Sequence, residues 1–565
     1  MVWCSGRWPR VSRKPAKFAK DKKVKGKLSK ARGLPISLAL ALFLALFLAL
    51  SVSLAPCLVH RSPGVDLFLP GILNAALPFM KKPVLATLVL LLALNGLAQT
   101  DSALNNTPDS MINAQLRLTN KYGDLLDDDP AYTPRRPWPV VSARVLAANV
   151  FNWALAKYVY KFDWPSSGPK DWKRNFQLGP HWDADRFSIN FIGHPHTGSY
   201  YYNIARSNGY SYWGSLPFAI QGSLTWEFLG ENEQPSWNDM INTPISGLFL
   251  GEVFYRVSSN ILDDRKRGAE RVFRELLAAA INPTRAINRL TQGAMFRVTN
   301  KEVYQKEPMN ITVSAGVHKV NDQGERRNRF GSGATNAMLN VQFDYGDPFE
   351  VRKRKPFDVF RFRIEMSYGA DSNLLDNING YGILAGKTIK ENRLLTGIFQ
   401  HFDYWRNNNI FEMGSLGFGP GLISRIPVAK HSNIYSNVHL AVMPLAGNNN
   451  RYGPVGTDVR DYNFGGGLEA KVEETFNLNR WATIGVTGYY YWIHTYNGLP
   501  GNSIVGVVRP NLSVRIAGGL RLGLEHHIYT NDRYSKLGDV HLVRTEQKLF
   551  LQWLFEDRQR SGLYH

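Results

Sequence analysis

From about residue 305 to residue 555 the chain alternates apolar and polar side chains with a period of two. Phe360, Phe362, Ile364, Met366 and Tyr368 alternate with Val359, Arg361, Arg363, Glu365 and Ser367, and Ala482, Ile484, Val486, Gly488, Tyr490 and Trp492 repeat the pattern. That period puts successive side chains on opposite faces of a strand. About twelve such segments follow one another, separated by turn clusters such as Arg406-Asn407-Asn408-Asn409 and Gly447-Asn448-Asn449-Asn450. At roughly 10–14 residues they exceed the strands of soluble sheets and match tilted transmembrane strands. Aromatic residues at segment ends, Tyr404-Trp405 and Tyr489 to Trp492 among them, suit a membrane interface. Phe362 and Ile364 are expected to meet lipid, with Arg361, Arg363 and Glu365 lining a polar lumen. A soluble β-sandwich would alternate too, but with shorter strands.

Residues 141–295 instead carry helical spacing. Ala143 to Tyr160 is an apolar-rich helix candidate. Ser236 stands at the start of another that runs to about Leu262, with Asp239 three residues on as a capping-box partner. Asn282-Pro283 reads as the cap and first residue of a short helix ending at Gly293. The expected fold is α+β, an N-terminal helical domain at 141–295 followed by an antiparallel transmembrane β-barrel of about twelve strands at 305–555. One departure from a barrel pattern is that ten residues, Glu556 to His565, follow the last aromatic strand end at Phe555.

Ahead of these regions, MKKPVLATLVLLLALNGLAQT at Met80 has the layout of a bacterial secretory signal: Lys81 and Lys82, an apolar core from Val84 to Leu94, and the small-residue site Gly96-Leu97-Ala98. The core is too short to cross a bilayer as a helix. The chain therefore divides into a leader at 1–79, a signal peptide at 80–98 and a polar linker at 99–140, with the product expected to start at Met80 and the mature protein at Gln99. The bacterial outer membrane is the expected destination.

Composition changes the picture only after that division. The net charge of +21 would suggest a nucleic-acid partner. Residues 1–33, however, hold twelve Lys/Arg against one Asp, and the signal lysines take two more charges, so a mature chain would be only mildly basic. No nucleic-acid partner is expected; outer-membrane lipid is, with envelope glycan as a further candidate. Both cysteines, Cys4 and Cys57, lie in the leader, which leaves no disulfide chemistry beyond it.

Candidate chemistry gathers in the helical region. Residues 151–230 contain twenty Phe, Trp or Tyr. Among them lie His181-Trp182-Asp183-Ala184-Asp185, then His194, His196, the triplet Tyr200-Tyr201-Tyr202, Arg206, Glu227 and Glu231. His194 with Glu227 is a candidate acid/base pair for an envelope lipid or glycan. His194 and His196, two apart in an extended segment, would face one way and offer a metal two nitrogens, with Glu227 or Asp183 adding oxygen. The identity of any metal or cofactor stays unknown at this stage. The competing explanation is structural, since buried polar residues in a packed helical domain need partners. Glu252 and Arg256, one turn apart, suggest a local ion pair, and Gly247 and Gly251 on the same helix permit close approach of another. The tyrosine triplet suits either a sugar-stacking surface or a membrane-interface belt.

The segments HPHTGSYYYNIARSNG, SLTWEFLGE, PSWNDMINTPISGLFLGE and NPTRAINRLTQG resemble an uncharacterised bacterial family, domain of unknown function 3943, over roughly residues 180–295. The resemblance implies an exported protein of Gram-negative bacteria in which this domain precedes a barrel-like half, and it carries no established activity. Nucleotide and protease motifs are absent. Gly386-Lys387-Thr388 comes nearest to a phosphate loop, but Tyr381 stands where its first glycine is needed and the segment is strand-patterned. Two roles remain: a structural or transport role in the envelope, or an outer-membrane enzyme acting on lipid or glycan through His194, His196 and Glu227.

Overall fold

The computed structural model describes residues 119–556 apart from 121–122, 322–332, 370–372, 391–392, 408–410, 450–460 and 537. The leader, the signal segment, the expected Met80 and Gln99 starts and residues 557–565 lie outside the described residues.

Among the described residues seven α-helices precede the strands: α1 Trp138–Ala154, α2 Pro169–Leu178, α3 His194–Arg206, α4 Tyr212–Thr225, α5 Trp237–Ile261, α6 Gly268–Ile281 and α7 Pro283–Thr291. Three single wide π-turns, at Leu155–Val159, Ile189–Gly193 and Trp226–Gly230, adjoin them. The Asn282 side chain caps α7 by accepting from the Arg285 amide at 3.0 Å, as its sequence suggests.

Twelve antiparallel strands then close into a barrel: β1 Met309–Val320, β2 Thr335–Tyr345, β4 Phe360–Tyr368, β5 Leu375–Lys390, β6 Leu394–Asn407, β7 Phe411–Ala429, β8 Ser432–Asn449, β9 Tyr462–Leu478, β10 Ala482–Asn497, β11 Gly501–Ala517, β12 Leu520–Ser535 and β13 Val540–Phe555. Strand β1 pairs with both β2 and β13. Pairing between β5 and β6 completes the ring, so the twelve-strand sheet has no open edge. A two-residue strand, β3 Lys353–Arg354, pairs with β5 at Lys387 and Gly386. The Gly-Lys-Thr segment is thus strand, not phosphate loop.

Alternation resolves into an inner and an outer face. Arg361 contacts Asp344 at 2.5 Å and reaches across the lumen to Glu473 on β9, while Lys548 on β13 bonds Glu365 on β4. These side chains face inward as expected. Phe362 and Ile364 face outward, but they do not meet lipid: they are 1 % and 3 % exposed. Helix α5 covers them. Phe249 stacks on Phe402 with ring centroids 5.8 Å apart, Phe254 meets Phe362 edge-on at 6.5 Å, and Gly380 leaves the space that Phe249 fills. Gly414 and Gly447 likewise make room for the ring of Phe191. Most of the outward apolar side chains that remain open lie from β8 to β13, where Leu440, Leu468, Ile484, Val508, Leu524 and Leu549 are 44–58 % exposed; Ile398 on β6 and Leu422 and Ile426 on β7 are open as well.

Candidate functional site

Helices α3 and α5 cross at backbone contact. A Cβ on Gly198 would fall 1.7 Å from the Thr243 carbonyl oxygen, and one on Gly247 would fall 2.4 Å from the Gly198 backbone. Only glycine at both positions permits that approach. The crossing sets His194, at the first turn of α3, over the first turns of α5. His194 Nδ1 lies 3.1 Å from Thr243 Oγ1 and its Nε2 lies 3.3 Å from Asp239 Oδ1.

Glu227 arrives from the π-turn after α4. Its Oε2 accepts from the Ser236 amide at 3.0 Å and from the Ser236 hydroxyl at 3.4 Å. Ser236 does precede α5, but its hydroxyl donates to the Asp239 side chain instead of accepting from a helix amide. Glu227 therefore takes the amide that a capping box would have given to Asp239. A parallel bridge between His181 and Ser236 fixes this entry, with Asn238 donating to Asp239 Oδ1 at 2.9 Å.

The result is a buried meeting of His194, Glu227 and Asp239, whose donor atoms all lie within 4.8 Å of one another. One nitrogen and two carboxylate oxygens at that spacing are a donor set that a divalent cation could use. His196 does not join it. The segment is helical, so residues two apart diverge around the axis instead of facing one way. His196 instead packs against Tyr200, with ring centroids 4.7 Å apart.

Burial pushes the Glu227 carboxyl up to about 8, with Asp183 and Asp185 adding to the rise, and it raises Asp239 well above the ordinary range. Burial also lowers His194 and His196 to about 4. Among the described residues neither Glu227 nor Asp239 has a Lys or Arg within ion-pair distance. Burial thus favours the protonated form of both acids and the neutral form of the imidazole, the pairing that a general acid and a general base need.

A second buried carboxylate, Glu252, stands further along α5. Tyr202 donates to it at 2.5 Å, Arg206 at 2.9 Å and Arg256 at 2.6 Å. Burial alone would raise this group, but the two guanidiniums overcome it and hold Glu252 at about 2. The expected Glu252–Arg256 pair is present and gains Arg206. Tyr201 and Tyr202 are fully buried, Tyr201 donating to Asn149 and Tyr202 to Glu252, so neither stacks sugars nor lies at a membrane interface.

The model of a family described as "Domain of unknown function (DUF3943)" matches residues 179–284, which contain the trio and Glu252. Curated proteins yield no match. Among solved structures the chain is similar to an anion-selective porin from Comamonas acidovorans, with 7 % identity over 44 % of this chain and 98 % of that one and a TM-score of 0.21. It is also similar to an outer-membrane channel from Pseudomonas putida F1, with 7 % identity over 44 % and 96 % of the two chains and a TM-score of 0.24. An outer-membrane channel of Acinetobacter baumannii gives 7 % identity, 44 % and 95 % coverage and a TM-score of 0.20.

Proposed function

We propose that the protein is an outer-membrane β-barrel protein of the bacterial envelope with a structural role: its barrel is an anchor that holds the helical domain, not a passage. The open apolar wall from β8 to β13 supports a lipid partner. The observation that carries the anchor reading is the filled lumen. Between the two mouths Lys548 joins Glu365, Lys471 joins Asp403 and Arg361 joins Glu473, each pair spanning non-adjacent strands. Beyond this charged layer, toward the connections at 321–334 and 450–461, Trp405, Met413, Met443, Tyr491, Val505 and Tyr529 pack inside the barrel at no more than 4 % exposure. Purified full-length protein inserted in planar lipid bilayers is expected to give no conductance steps. Steps of porin size would overturn the anchor reading.

The trio favours a second reading, an outer-membrane enzyme acting on lipid or glycan through His194, Glu227 and Asp239. Convergence of a neutral imidazole with two protonated carboxyls supports it. Hydrogen bonding of those carboxyls by Ser236 and Asn238 supports the structural role instead.

A further inference from the structure

The filled layer closes only one half of the lumen. The other half is a cavity of about 1150 Å³ that opens among the short turns at 430–431, 479–481 and 518–519. Its wall carries ten Lys/Arg against four carboxylates. Such an excess inside a low-dielectric barrel focuses a positive potential on whatever enters.

Position decides what the excess does. Arg480 and Arg515 stand at the mouth, where water solvates them. Arg509 stands deeper on β11 and is only 4 % exposed. Its Nη2 donates to the Tyr489 hydroxyl at 2.6 Å, and Nη1 has no partner. Among the described residues Arg509 forms no direct ion pair, whereas its lumen neighbours Arg361 and Arg363 each do; its guanidinium lies 4.8 Å over the Tyr489 ring and feels the Glu525 charge only at a distance. A buried guanidinium without a directly paired carboxylate is disfavoured. Nature tolerates that arrangement where an incoming anion completes it.

We infer that the blind half of the barrel lumen is a binding site for a water-soluble polyanion bearing phosphate or carboxylate groups, with Arg509 as its deep anchor and Arg480 and Arg515 as its rim. The planar fork of Arg509 holds Nη1 unpartnered beside the Nη2 that bonds Tyr489, which offers an oxygen of one such group a charge-assisted contact. The cavity is large enough for several of these groups, and the mouth arginines would meet the outer ones. In an outer-membrane barrel short turns face the periplasm. The side from which the ligand enters therefore rests on the outer-membrane reading, and binding itself does not.

Calorimetric titration of inorganic tripolyphosphate into the full chain in neutral detergent at low salt tests the site. Saturable binding that weakens about tenfold or more in Arg509→Gln and falls steeply with added salt is the expected result. Arg509→Gln removes a buried charge, so a second variant guards against misfolding as the cause. Thr487 lines the same cavity and is the cross-strand partner of Arg509. Thr487→Glu should supply the missing carboxylate, keep heat-modifiable gel mobility and abolish tripolyphosphate binding. Absence of saturable binding, or equal affinity in the wild type and Thr487→Glu, would overturn the proposal. Binding of short-chain phosphatidylglycerol without binding of tripolyphosphate would also overturn it, in favour of a lipid headgroup.

Discussion

Helix α5 carries two buried acids, Asp239 in its first turn and Glu252 in its second half, and the two ends of this stretch are wired in opposite ways. Glu252 has two arginines and a tyrosine hydroxyl and is held at about 2. Asp239, with Glu227 beside it, has Ser236, Asn238 and His194, and both acids are raised. Burial is similar, so the difference lies in the partners. An ion-paired carboxylate locks α3 to α5 as a fixed charge. A protonated carboxyl hydrogen-bonded to neutral groups keeps a movable proton in the same helix pair.

The largest expected effect is at Glu252. Glu252→Ala leaves Arg206 and Arg256 buried without their shared carboxylate, a defect of about 3–5 kcal/mol. Arg256 would retain its 3.7 Å contact with Asp358 and its 2.9 Å donation to the Pro356 carbonyl, but no close carboxylate. Quantitative blotting of outer-membrane fractions should show little Glu252→Ala protein, and heat-modifiable mobility should be lost. Wild-type abundance would show that the ion-paired end is not structural.

The two ends also differ in how far the sequence disclosed them. Glu252 and Arg256 share one helix at a spacing of four, so local pattern alone placed them together. Asp239 and Glu227 come from different elements, and the Ser-x-x-Asp spacing pointed to a helix cap. Long-range packing gave the Ser236 amide to Glu227, a contact no local period encodes. Residues two apart share a face only in an extended segment, and the helical form of this one separates His196 from His194. In the barrel a period of two showed that every strand has two faces, and the inner one was assigned correctly from Arg361, Arg363 and Glu365. It does not say what covers the outer one. Phe362 and Ile364 look lipid-facing until Phe249 and Phe254 of α5 are laid over that wall.

A smaller and opposite pH response should separate the ends. Glu252 lies at about 2 when folded against an ordinary 4.5, so its contribution is complete above about pH 4.5 and is lost as pH falls toward 2. Glu227 lies at about 8 against an ordinary 4.5. There the folded protein holds the extra proton, so the contribution is complete below about pH 4.5 and is lost as pH rises through 8. His194, lowered by burial from 6.5 to about 4, contributes fully above pH 6.5 and less as pH falls. Thermal melting in detergent should therefore weaken from pH 6 to pH 9, and Glu227→Gln should flatten that decline. An unchanged slope in the variant would assign the decline to another group.

The smallest expected effect on folding is Glu227→Gln at neutral pH, because the amide copies a carboxyl that is already uncharged. Its oxygen can still accept from the Ser236 amide, so stability should stay within about 1 kcal/mol of wild type and abundance should follow, whereas Glu227→Ala strands that amide at about 1–3 kcal/mol. The same substitution removes the transferable proton and one carboxylate of the donor trio. Abundance and the lipid and glycan profile, measured side by side against a deletion strain, then report different properties. Under the structural role both stay at wild-type level in Glu227→Gln, which is the expected outcome. Full abundance with the deletion's lipid or glycan profile would instead make the His194–Glu227–Asp239 end a working acid–base centre, and the contrast along α5 would become one between structure and chemistry.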